Sequence, residues 1–309
     1  MKRKNIRFAL YLSFLLTLTC LYQLPVYSIS YGNPTLFSLQ NEQLKQHILS
    51  LINQERASFG LRPVELDNFA SKVAERHCQE MLDYEFTSHW NQAGLKPYMR
   101  YSYAGGVDAV MENVAGKWSN SGLDPARIPS IVEQLHLAMF NEYPPNDSHR
   151  RTILQPQHTH VGLAFFFNQN RLQIAEEFVA RYVDVEPITR KIKLGEDILI
   201  KGELLYEATD LHTIDVFYEP FPEKMTVDYL NRTTQYGFPK DRLVLRTKTA
   251  EGYSYPDGTT GSIEVNKETG KFSCLISSKA GQPGIYTLVV WINYEGRKFP
   301  ATNICVEVR

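Results

Sequence analysis

Cysteine is scarce in this chain, with four in 309 residues. That excludes a small disulfide-held scaffold; a chain of this length is stabilised by its apolar core, and there is enough of it for two domains. Charge imbalance is missing too: 33 Lys and Arg face 34 Asp and Glu, for a net charge of −1. Nothing indicates the basic face that a phosphate backbone requires, so no nucleic-acid partner is expected. Long apolar runs are confined to the first thirty residues. With no second run, no transmembrane span is expected once that region is removed. The chain has no G-x-S-x-G elbow and no H-E-x-x-H helix. Cys78 follows His77, and Ser88 precedes His89, but side chains at consecutive positions point apart and do not form a nucleophile–base pair. Internal repeats and low-complexity stretches are also absent.

What is present begins with an export-type leader. Lys2, Arg3, Lys4 and Arg7 precede an uncharged stretch, "FALYLSFLLTLTCLY" (Phe8–Tyr22), and Val26 and Ser28 are small enough for a cut after Ser28. This is the layout of a secretory signal peptide over residues 1–28. An uncleaved anchor and a lipid attached at Cys20 are the alternatives. The expected location is secreted or in the cell envelope. In such a compartment Cys274 and Cys305, both in strand-like runs, are the candidates for a disulfide, and Cys78 is expected as a buried core residue.

After a linker over 29–40, residues 41–186 are helix-rich at first. Leu44, Ile48, Leu51 and Ile52 share one helical face, with Gly60 as its stop. Asp67 or Asn68 can cap a second helix, whose stripe is Phe69, Ala70, Val73, Ala74, His77 and Met81. A third is expected over 129–143 on the stripe Ile131, Leu135, Ala138, Met139 and Glu142. Then the period changes: "VGLAFFF", the turn "NQN" and "RLQIAEEFVARYVDV" read as a hairpin of long strands, the first covered on both faces. From 187 to 309 helical periodicity is gone. Short alternating stretches such as "GKFSCLIS", "GIYTLVVWINYEG" and "TNICVEVR" predict a β-sandwich, with Gly270 of "NKETG" free to take a positive φ.

Four polar residues of the first domain stand out: His89 in "FTSHW", Glu112 in "MENVAG", Glu142 in "MFNEY" and His149 in "SHRRTIL". Taken singly, each also reads as an ordinary surface or hydrogen-bonded residue. At this point the chain resembles the CAP superfamily of cysteine-rich secretory and pathogenesis-related proteins, in its bacterial form. The resemblance rests on "LINQERASFGLRPVELD", "FTSHWNQAGLKPYMR", "ENVA" and "HRRTIL" followed by "HVG", with His149 and Gly162 thirteen residues apart. Met139 stands where many members have Trp, Glu142 where bacterial members often have Ser, and Thr152 where Asn is usual.

The resemblance implies an α+β fold, an α-β-α sandwich, followed here by an all-β module that looks immunoglobulin-like. It also implies that His89, Glu112, Glu142 and His149 converge in one cleft. Such a group could hold zinc or another divalent metal, with His89 and His149 as ligands. It could instead move protons near neutral pH, or simply hold a binding cleft open. The expected role is binding of an extracellular lipid, cell-envelope or protein ligand, with the β-module as spacer or attachment. A metal-dependent envelope hydrolase, or recognition by the β-module alone, are the rival readings. His158 and His160, two residues apart, are expected on one side of a solvated approach to the strand.

Overall fold

A computed structural model describes residues 34–233, 235–278 and 281–309, with side chains from residue 41. The signal peptide and Cys20 lie outside the described residues. Among the described residues no helix is long and apolar enough to cross a membrane.

Helix α1 (Pro34–Ser58) starts inside the stretch expected as linker. It buries Leu44, Ile48 and Ile52, and Gly60, at φ +69°, turns the chain away from it. A short strand β1 (Glu65–Leu66) leads into α2 (Asn68–Asp83). There the Asp67 carboxylate accepts the Ala70 N–H at 2.6 Å and caps the helix. Next come α3 (Pro97–Tyr103), β2 (Ala109–Trp118), α4 (Ile128–Phe140), α5 (Ser148–Ile153), β3 (His160–Phe167) and β4 (Arg171–Ala180). The strands form one sheet in the order β1-β3-β4-β2, in which β1 is parallel to β3 and the other pairs are antiparallel.

Both faces of this sheet are covered. Leu172, Ile174 and Phe178 of β4 pack with α1 and α4; Ala175 and Val179 pack with α2 and α3 on the other side. The period of two along β4 thus assigns alternate residues to two separate cores. Gly162 is required by closeness: a Cβ there would lie 2.3 Å from the backbone of Ala70 and Ser71.

The third helix has a different phase from the expected one. Its buried positions are Ile128, Val132, His136 and Met139, whereas Ala138 is exposed. Following apolar residues alone misplaced the stripe by skipping a buried histidine. The helix also ends at Phe140, so Glu142 lies beyond it.

The chain continues through β5 (Val183–Val185), β6 (Lys191–Ile192), β7 (Asp197–Leu204), β8 (Thr209–Glu219), α6 (Val227–Leu230), β9 (Arg242–Arg246), β10 (Glu264–Val265), β11 (Lys271–Ser277), β12 (Gly284–Tyr294), β13 (Arg297–Pro300) and β14 (Ile304–Val308). These make two sheets, β10-β11-β7-β5 and β6-β14-β12-β8-β9, with β13 on β12. Ile198, Ile200, Phe272 and Ile276 of one sheet meet Ile214, Leu288, Val290 and Val306 of the other in a shared core. Gly270 takes φ +71° in its turn.

Cys274 and Cys305 do not pair; both are free thiols, and both are buried. Cys274 points into the core between the two sheets. Cys305 lies between Ile304 and Val306, which face that core. It therefore points the opposite way, into a cluster with Tyr98, Met99 and Tyr101 of α3.

That cluster joins the two halves of the chain. Arg190 donates to Ser102 Oγ at 2.8 Å, and the Cys305 N–H donates to the same oxygen at 2.8 Å. The Ala109 N–H donates to the Ala301 carbonyl at 3.0 Å. Leu230 of α6 is buried against Ala74, Cys78 and Met81.

Candidate functional site: a histidine–glutamate cleft at the domain seam

The strand pattern of β2 sends Glu112 to the α2 side of the sheet and Asn113 to the α1/α4 side. Glu112 is buried, 3% exposed, and both its oxygens are used. Oε1 lies 2.9 Å from His89 Nδ1, and Oε2 accepts from the Arg100 guanidinium. Arg100 also donates to the His89 carbonyl at 2.6 Å, which fixes the loop carrying that histidine. Burial alone would raise the Glu112 pKa. The Arg100 charge and the His89 hydrogen bond outweigh it and hold the carboxyl at about 2.

The second pair is built locally. Asp147 precedes α5, and the first turn of that helix presents His149. Glu142 Oε1 lies 2.5 Å from His149 Nδ1, and Oε2 accepts the His149 backbone N–H at 3.0 Å. The rings of His89 and His149 stand 6.3 Å apart, centre to centre, with planes inclined by 41°. His89, Glu112 and His149 line one cavity of about 540 Å³, within the size range of small-ligand sites. Glu142 does not line it and reaches it through His149.

Each imidazole is therefore held at Nδ1 by a carboxylate, and neither Nε2 has a hydrogen-bond partner among the described residues. This is the arrangement found around histidine-bound zinc, where a carboxylate fixes the tautomer and frees the other nitrogen. Two imidazoles on one tetrahedral zinc bring the ring centres to roughly 5 Å. The observed centre distance is 6.3 Å. No group of three or more metal-binding side chains occurs among the described residues, so the remaining positions on an ion would fall to water or to a ligand oxygen.

The other singled-out histidines have different places. His160 opens β3 and is partly exposed. His158 is not on a solvated approach: it is 3% exposed and stacks on Phe178, with ring centres 5.2 Å apart. Burial lowers its pKa to about 3, so it is neutral.

Several residues at the site carry no local sequence signal. Glu177 lies directly across from Glu112 in the β2–β4 register, fully buried. Burial, reinforced by the Glu112 charge, raises its pKa well above the ordinary range, so it stays protonated. Glu176 faces the other way and binds His136 Nδ1 at 2.7 Å. His136 Nε2 lies 3.1 Å from Glu55. Burial would make His136 neutral, but the two carboxylates, Glu176 first, raise its pKa to about 10. Asn113 joins this buried triad to the cleft, donating to Glu176 and to the His149 carbonyl, each at 3.2 Å. Tyr236 comes from the second half of the chain: its ring lies 4.9 Å from that of His89.

Residues 49–182 match the sequence pattern of the CAP family, described as the cysteine-rich secretory protein family. The uncharacterized protein YkwD of Bacillus subtilis (strain 168) is 25% identical over 121 residues, which are 39% of this chain and 42% of that protein. The chain thus spans less than half the length of the curated relative it matches. Among solved structures, an extracellular protein containing an SCP domain from Bacillus anthracis str. Ames is 18% identical, with a TM-score of 0.37, over 50% of this chain and 45% of its own. An outer surface protein from Borrelia burgdorferi is 19% identical, with a TM-score of 0.35, over 46% of this chain and 95% of its own. By the sequence match, within which His89, Glu112, Glu142 and His149 all fall, the chain carries a CAP domain over residues 49–182.

Proposed function

We propose that this is an exported protein, secreted or held in the cell envelope, whose CAP domain binds an extracellular ligand in the His89/His149 cleft. A divalent cation such as zinc sits between the two imidazoles and presents its open positions to the ligand. The basic and apolar start of the chain over residues 1–28 supports export. The immunoglobulin-like reading of residues 187–309 rests on two facing sheets, one of which also takes in β5 (Val183–Val185).

The observation that carries the metal reading is the pair of carboxylate-held Nδ1 atoms, 2.9 Å at His89 and 2.5 Å at His149. Both histidines line one cavity, and neither Nε2 has a hydrogen-bond partner among the described residues. In this arrangement Glu112 and Glu142 orient the ligands and do not touch the ion. Calorimetric titration with zinc tests the reading. Saturable binding to the wild-type chain, lost in His89→Ala/His149→Ala, supports it; equal heats for both proteins refute it.

A further inference from the structure

One wall of the cleft belongs to the second half of the chain. Gln235, Tyr236, Gly237 and Phe238 line the same cavity as His89 and His149, and groups from both halves hold them there. Trp90 Nε1 donates to the Gln235 carbonyl at 3.0 Å. Lys96 donates to the Gly237 carbonyl at 2.9 Å and pairs with Glu219. The Phe238 ring stacks on Phe217, 4.6 Å centre to centre, and meets Tyr98 at 4.9 Å. Such a wall is a fixed part of the pocket, not a spacer beside it.

The hydrogen-bond inventory says what kind of group it faces. Glu112 spends both oxygens on His89 and Arg100; Glu142 spends both on His149. The acidic charge is therefore turned inward. Toward the cavity stand two imidazoles and the Tyr236 phenol. Its Oη accepts the Glu112 N–H at 3.0 Å, while its own proton has no acceptor among the described residues. Arg151, paired with Asp147 at 3.2 Å, stands at the rim. Phe238, Val110 and Ala180 supply apolar surface.

We propose that the second half of the chain completes the cleft as a carboxylate-recognition site. Tyr236 donates its O–H to a carboxylate of the ligand, and Phe238 carries the ligand's apolar flank. This rests on the reading of the cleft as a binding site but not on the presence of zinc.

Benzoate, a carboxylate with one apolar ring, is the probe. Its binding is measured by calorimetry on the full chain, with and without zinc, for wild type, Tyr236→Phe and Phe238→Ala. Tyr236→Phe keeps the ring against His89 and removes the hydroxyl, and with it the acceptor of the Glu112 N–H. The expected result is saturable benzoate binding that Tyr236→Phe weakens about tenfold or more, as for loss of a hydrogen bond to a charged group. Phe238→Ala should weaken benzoate as well. Benzoate that binds wild type and Tyr236→Phe equally, or does not bind wild type, overturns the proposal. If zinc fails to bind but benzoate still depends on Tyr236, the metal reading falls and this one stands.

Discussion

Glu176 and Glu177 are neighbours on β4, both fully buried, and they meet opposite fates. Glu176 points to the α1/α4 side and faces His136, which a second carboxylate, Glu55, helps to keep charged. Glu177 points to the α2 side and faces Glu112, whose charge Arg100 already balances. One glutamate is hydrogen-bonded to a charged histidine; the other is a buried acid whose pKa burial raises. What separates them is contact with a cation: Glu176 bonds His136 directly, whereas Arg100 is taken by Glu112 and neither Glu177 oxygen has a hydrogen-bond partner among the described residues. The pleat of the strand makes the choice, since a shift of one residue would exchange them. Both clusters back onto the cleft, one through Asn113 to His149 and the other through Glu112 to His89.

The comparison predicts unequal consequences of substitution. The largest belongs to His136→Leu, which strands Glu55 and Glu176 without their shared cation. Removing one partner of a buried ion cluster costs about 3–5 kcal/mol. Urea unfolding should show a fall of that size at pH 7; a loss below about 1 kcal/mol would mean that the triad is not charged as described. Arg100→Met comes next. It leaves Glu112 buried and ionised beside His89, with an expected cost of about 3 kcal/mol and a shift in the His89 ring resonances.

Smaller effects lie in the pH dependence. The His136 pKa is raised from 6.5 in the unfolded chain to about 10. Its contribution is fully present below 6.5 and is lost as pH rises through about 10. Glu112, lowered from 4.5 to about 2, contributes above 4.5 and loses that contribution as pH falls through about 2. Wild type should therefore lose stability toward alkaline pH more steeply than His136→Gln does.

Glu177→Gln is the smallest change. A buried acid with a raised pKa lowers stability as pH climbs above its unfolded value, because the native state holds a proton that the unfolded state has released. Replacing it with the neutral amide should be close to neutral near pH 4 and mildly stabilising near pH 8. A loss of stability at pH 8 would show that Glu177 is needed as an anion.

Much of the first domain was legible because its information is local. Asp67 caps α2 as its position predicts, and Ile48, Ile52, Val73, Ala74 and Met81 are buried where helical spacing puts them. The β3–β4 hairpin follows from a change of period. What could not be read depends on partners distant in sequence. His136 was passed over by the expected apolar stripe, and its partners lie on α1 and β4. Tyr236 sits in a segment without regular structure and has value only beside His89, 147 positions earlier in the chain. The disulfide expectation failed for a reason that alternation did contain. In "FSCLI" the cysteine shares parity with Phe272 and Ile276, but in "NICVEV" it falls between the inward-facing Ile304 and Val306.

The proposed metal site requires the imidazoles of His89 and His149 to offer their Nε2 atoms to one ion. Nitrogen-detected NMR of the histidine rings during zinc titration reads this directly. We predict that Nε2 of His89 and of His149 shift together and saturate together, while both Nδ1 protons persist against Glu112 and Glu142. Unmoved Nε2 signals at these two residues, or a response centred on other histidines, would contradict it.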